Sequence, residues 1–230
     1  MGFVDCEGKT THEINQAIRS LIAAGDMDIR VLNPAARHNL GVGLVQPVRL
    51  TFEGSVGYYC GGMGDSPTVE VQGSAGWGLA EGVLSGTVVV QKNAGNGAGA
   101  AIRGGTVVVR GDASARAGVS MKGGAVVVGG SAGYMTGFMM QKGAIIVLGD
   151  TGAALGDSLY EGRIFVAGQI GELGNDAVPA EVTEDDRGFL TATLEPFGYN
   201  AAGYDFQKVV AGRKLWNFDK HDFETWRVAL

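Results

Sequence analysis

Apolar residues in this chain fall into short clusters that return every 19 positions. Gly86-Thr-Val-Val-Val90 is followed by Gly105-Thr-Val-Val-Val109, Gly124-Ala-Val-Val-Val128, Gly143-Ala-Ile-Ile-Val147 and Gly162-Arg-Ile-Phe-Val166. The same frame reaches back through Pro67 and Val48 to Ile29, with no insertion expected. A fixed period near 20 means one structural unit stacked on itself. Steps of 19 pick out apolar columns. One is Val31, Leu50, Val69, Val88, Val107, Val126, Ile145 and Ile164, and another is Phe52, Val71, Val90, Val109, Val128, Val147 and Val166. Val56, Ala75, Ala94, Ala113, Ala132, Thr151 and Ile170 make a third, and Val83, Ile102, Met121, Met140 and Leu159 a fourth. The Val-Val-Val runs between glycines carry no 3.6-residue period and favour strands.

These columns predict an all-β chain, a right-handed parallel β-helix of about eight 19-residue coils. Three short strands and three corners are expected per coil. At about 4.8 Å per coil the stack stands roughly 38 Å tall. Glycine also forms columns: Gly54, Gly73, Gly111, Gly130, Gly149 and Gly168; Gly57, Gly76, Gly95, Gly133, Gly152 and Gly171; and Gly99, Gly118, Gly137 and Gly156. Each is expected to mark a corner where glycine permits positive φ.

The ends break the period. Residues 1–28 read as a helical cap. Thr10-Thr-His-Glu13 fits a capping box, Ile14, Ala17, Ile18, Leu21 and Ile22 follow at helical spacing, and Gly25 is the stop. The helix is expected over roughly Thr11 to Ala24, sealing the open first coil as stacked repeats require. Residues 29–178 are the β-helix. Residues 179–230 read as an irregular C-terminal arm, with Glu181 to Arg187 as a charged linker or exposed turn. The arm carries Phe189, Phe197, Tyr199, Tyr204, Phe206, Trp216, Phe218, Phe223 and Trp226, half of the aromatic residues of the chain. They pack on the outside or end of the β-helix, or dock on another subunit.

Composition sharpens this picture. Of 40 glycines among 230 residues, 33 lie between Gly41 and Gly174, so glycine belongs to the repeat. The net charge is −6 and no Lys/Arg block stands out, which argues against nucleic-acid binding. No apolar run is long enough to span a bilayer, and the N-terminus lacks a signal-peptide core. Cys6 and Cys60 form no CxxC pair and read as free thiols in a reducing cytoplasm.

Candidate chemistry is sparse. Gly95-Asn-Gly-Ala-Gly-Ala100 formally matches a dinucleotide fingerprint, but no helix follows it to present amides to a pyrophosphate. Asp65, Asp112, Asp150 and Asp157 are too few for a calcium β-roll; Asp112 and Asp150 follow corner glycines, where Asp bonds local amides. His12, His38 and His221 lack metal-ligand spacing. Cys60 has no base or positive field in sight, so a buried structural thiol is expected. Tyr58, Tyr59, Trp77, Tyr134 and Phe138 lie near corners and would line one face, as an interface or, in an outlying reading, a ligand surface.

Gly130-Ser-Ala-Gly-Tyr-Met-Thr-Gly137 and Gly143-Ala-Ile-Ile-Val-Leu-Gly-Asp-Thr-Gly152 resemble the GXGXG domain of glutamate synthase and of the formylmethanofuran dehydrogenase C subunit. Val31-Leu-Asn-Pro34, Gly54-Ser-Val-Gly-Tyr-Tyr-Cys-Gly-Gly-Met63, Leu155-Gly-Asp-Ser-Leu-Tyr-Glu161 and Arg213-Lys-Leu-Trp-Asn-Phe218 look like the free-standing GXGXG subunits of glutamate-synthase-like complexes. N-methylglutamate synthase is the best-characterised such set. The resemblance implies a non-catalytic scaffold in a cytoplasmic hetero-oligomer that makes N-methylglutamate from methylamine and glutamate with release of ammonia. The implied partners are a class II glutamine amidotransferase-like subunit and an FMN-binding glutamate-synthase-like subunit, with FMN and an iron–sulfur cluster on the latter. No catalytic, cofactor-binding or metal-binding residue is implied for this chain. The same scaffold in a glutamate synthase or another amidotransferase/FMN complex is the alternative.

Overall fold

The computed structural model describes residues 1–213. Its core is one 11-stranded sheet: β1 (Gly2–Asp5), β2 (Asp28–Leu32), β3 (Arg49–Glu53), β4 (Thr68–Val71), β5 (Thr87–Val90), β6 (Thr106–Val109), β7 (Lys122–Val128), β8 (Lys142–Val147), β9 (Arg163–Val166), β10 (Ala177–Ala180) and β11 (Gln207–Ala211). Strands β1 to β9 stack in sequence order and in parallel, so the chain is a β-solenoid with seven turns between β2 and β9. From β3 onward the register advances by 19, apart from a local shift at the start of β7 where Lys122 faces Lys142: Leu50 faces Val69, Val69 faces Val88, and so on to Ile145 and Ile164. These side chains and the Phe52–Val166 column are fully buried inside the coil.

The first turn departs from the period. Ile29 faces Leu50 and Val31 faces Phe52, a step of 21. The expected pairing of Val31 with Leu50 is therefore two residues out. One of the two extra residues is taken up beside Pro34, where Asn33, Ala35 and Ala36 adopt left-handed conformations (φ 53°, 46° and 54°), and the other between Leu44 and Arg49. Ala36 N–H then rejoins the ladder on the Ser55 carbonyl at 2.9 Å.

The three expected strands per coil reduce to one. The second side is a single bridge per coil, running Val56, Ala75, Ala94, Ala113, Ala132, Thr151 and Ile170. The third side is turns whose amides still bond neighbouring coils, as Gly118 N–H does to the Ala98 carbonyl (2.8 Å). Every second residue of that side is left-handed, as at Arg116, Gly118 and Ser120 (φ 61°, 67° and 54°), and this alternation is incompatible with an extended strand. The glycine columns divide accordingly. Gly99, Gly118, Gly137 and Gly156 have positive φ as expected. The Gly130–Gly149–Gly168 column does not; there a Cβ would collide with the coil before, at 2.7 Å from the Gly130 carbonyl oxygen in the case of Gly149. Close approach, not turn geometry, requires glycine at that column.

Helix α1 (Thr11–Ala23) begins at the Thr10/Glu13 capping box and ends before left-handed Gly25, as read from sequence. Ile14, Ile18 and Ile22 close the first coil. The polar edge of α1 satisfies exposed ladder groups. Asn15 bonds the Asn39 carbonyl (2.7 Å) and the Gly41 amide (2.9 Å), and Arg19 donates to the Val42 carbonyl (3.1 Å). Strand β1, unforeseen in the sequence, adds a further parallel rung to β2.

The C-terminal arm is more ordered than its sequence suggested. The presumed linker Glu181–Arg187 contains the start of helix α2 (Glu184–Leu194), nucleated by a Thr183/Asp186 capping box. Strand β11 pairs antiparallel with β9 and is followed by β10 at the sheet edge, which ends the parallel ladder. Phe189, Phe197, Tyr199, Tyr204 and Phe206 pack over the outer face of the sheet, against Val108, Val127, Ile146, Phe165, Leu190 and Leu194. Trp216, Phe218, Phe223 and Trp226 lie outside the described residues.

Candidate interaction face

The turn side of the solenoid projects its side chains outward from a fixed lattice, so residues 19 apart stand one coil apart. Trp77 stands one coil from Tyr58, and their rings stack at 5.3 Å between centroids, 19° from parallel. His38 stacks on the other face of Tyr58 at 4.3 Å and 13°. His38 Nδ1 accepts from the Tyr58 N–H at 2.9 Å, which holds the imidazole in the stack. Tyr59 and Met63 flank this row and are about half exposed or more. Tyr134, three coils beyond Trp77, and Met139, four coils beyond Met63, are exposed together in one later coil, beyond a floor of Gly78, Gly82, Asn96, Gly97, Ala101 and Ala115.

The structure thus brings Tyr58, Tyr59 and Trp77 together and places Tyr134 and Phe138 separately along the same side. His38 is the member that sequence reasoning missed. The long first turn puts it 20 residues before Tyr58, so a step of 19 lands on Gly57, where a Cβ would strike the His38 ring.

The other candidates are held structurally. Cys6 and Cys60 are buried, and burial pushes both thiols up in pKa, away from the thiolate. Gly97 and Gly99 are left-handed turn residues, and the next element after them is β6. Asp112 and Asp150 do not bond local amides. Each accepts the backbone N–H one coil on, at Ser131 (2.8 Å) and Gln169 (2.7 Å). Asn93 and Ser131 do the same, making a polar ladder that reinforces the stack. His12 lies on α1 and lines a 390 Å³ surface hollow with Arg19 and Met63; His221 lies outside the described residues. Among the described residues no three His, Cys, Asp or Glu side chains converge on a metal-sized site, and no helix is long and apolar enough to cross a membrane.

The strongest electrostatic feature lies under the arm. Asp186 is buried, with Lys208 Nζ at 2.6 Å and Arg163 Nη1 at 2.8 Å. Burial alone would raise its pKa; the Lys208 ammonium and the Thr183 amide and hydroxyl outweigh that and bring it down to about 2. One carboxylate thereby caps α2 and ties it to β9 and β11.

No family model matches the chain. It is similar to Protein GlxC of Rhizobium meliloti (strain 1021), with 41% identity over 85 residues. That stretch is 36% of this chain and spans 37% of the relative's length.

Proposed function

We propose that this chain is a scaffold subunit of a glutamate-synthase-like complex, specifically N-methylglutamate synthase. Its proposed partners are a class II glutamine amidotransferase-like subunit and an FMN- and iron–sulfur-bearing subunit, and the chemistry belongs to them. The complex would join methylamine to glutamate with release of ammonia. The observation that carries the reading is the uninterrupted stack. Seven turns are bonded rung to rung around a filled apolar core and closed at both ends, which makes a stiff spacer. Stiffness is what two coupled active sites need, since ångström errors of placement cost large factors in rate. The local identity to Protein GlxC and the motifs at Gly54–Met63 and Gly130–Gly152 support the coarser part of this reading, a glutamate-synthase-like subunit.

Affinity purification of the chain from its native cells tests it. A stoichiometric complex with a flavin spectrum and an amidotransferase subunit is the expected result. Recovery of a colourless chain without either partner would overturn it. Turnover of the purified complex with methylamine separates N-methylglutamate synthase from the alternative, a glutamate synthase or related complex that uses ammonia alone.

A further inference from the structure

Between β3 and β9 the ladder breaks step once, where Lys122 faces Lys142; by Ala125 and Ala144 the step of 19 has returned. The backbone carries the shift. The Gln141 and Lys142 amides both donate to the Met121 carbonyl, at 2.8 and 3.3 Å. Irregularities of this kind re-aim a side chain. A strict period would set Gln141 opposite Lys122, and the shift sets a second ammonium group there instead. Arg103 stands on the preceding rung, since the Lys122 amide bonds the carbonyl of its neighbour Ile102 (2.7 Å). Arg103, Lys122 and Lys142 are all exposed. They occupy three successive coils at about 4.8 Å per coil.

Among the described residues, none of the three cations is paired with a carboxylate. Facing ammonium groups repel each other. The chain as a whole carries a net charge of −6, so its acids have not been used to relieve this repulsion. The strip is also short. Exposed Leu84 precedes Arg103 in the same column, and exposed Glu161 follows Lys142 by 19 residues. A nucleic acid would run on past Glu161 over an acidic molecule, which disfavours it. A short run of carboxylates matches both the charge and the length of the strip.

We propose that Arg103, Lys122 and Lys142 form a docking strip for a short acidic segment of a partner polypeptide. Failure of this proposal would leave the scaffold reading untouched, because its test uses no member of the proposed complex.

Fluorescein-labelled hexaglutamate is titrated with the isolated full-length chain at low ionic strength, and binding is read by fluorescence anisotropy. Wild type should bind, and added salt should weaken the complex. The triple variant Arg103→Gln, Lys122→Gln and Lys142→Gln should bind at least about tenfold more weakly than a control carrying Arg49→Gln, Lys92→Gln and Arg116→Gln. The control removes the same charge from exposed sites that also lack a carboxylate partner. Should the triple variant fail to fold, Lys142→Gln should still weaken binding more than Lys92→Gln. Lys122→Glu should abolish binding and raise the melting temperature, since it sets opposite charges face to face. No binding by wild type, equal weakening in the two triple variants, or a lower melting temperature for Lys122→Glu would each overturn the proposal. Tighter binding of a single-stranded oligothymidylate than of hexaglutamate would overturn the assignment to a polypeptide.

Discussion

Two long sides of one solenoid carry the same repeat and end up opposite in character. On the sheet side, the outward column runs Thr51, Glu70, Val89, Val108, Val127, Ile146 and Phe165. It is polar near α1 and becomes a second core where α2 and the arm lie on it. On the turn side, Tyr58, Trp77 and Tyr134 point outward from equally regular positions and meet solvent. The lattice decides only that a side chain points outward. Whether that position is surface or core depends on a segment that arrives from much later in the chain.

The largest test of this contrast is Phe165→Ala. The ring is fully buried on the sheet side, 6.3 Å from Phe189 and 6.5 Å from Phe206. Its removal should cost about 3–5 kcal/mol in a denaturant or thermal melt, and a loss under 1 kcal/mol would mean the arm does not pack there in solution. Gly118→Val strikes the lattice itself. A Cβ at φ +67° would lie 2.5 Å from Ile145 Cδ1. Left-handed strain and overpacking together should cost at least ~2 kcal/mol, and wild-type stability would refute the corner assignment.

Asp186 tests the arm's attachment through pH. Its carboxyl is held below the usual range, so the stability it contributes is complete above about pH 4 and lost as pH falls through about 2. Asp186→Asn should remove roughly 2 kcal/mol at pH 7. It should also flatten this part of the acid limb, so that wild type and variant converge near pH 2. The smallest effect is expected on the turn side, where Trp77→Ser should cost about 1 kcal/mol or less in the isolated chain. A loss approaching that of Phe165→Ala would erase the contrast between the two sides.

Parts of this were legible early. The capping box at Thr10, the stop at Gly25 and the 19-residue ladders each rest on neighbours in sequence or on a strict period. The second core left a trace too. The run Val107-Val108-Val109 in β6 is apolar on both faces, the mark of a strand buried on both sides. What period reading missed was the length of the first turn; one of its two extra residues lies among the left-handed residues around Pro34 and moved His38 beside Tyr58.

The sequence alone determined that the chain stacks, because in-register β-branched and glycine columns can bury themselves only against copies one period away. Tertiary structure decided what covers the stack. Asp186 finds Arg163 and Lys208 more than 20 residues away on either side, and Phe165 finds Phe189 and Phe206 on separate elements. No period links these partners, and only the fold brings them within contact distance.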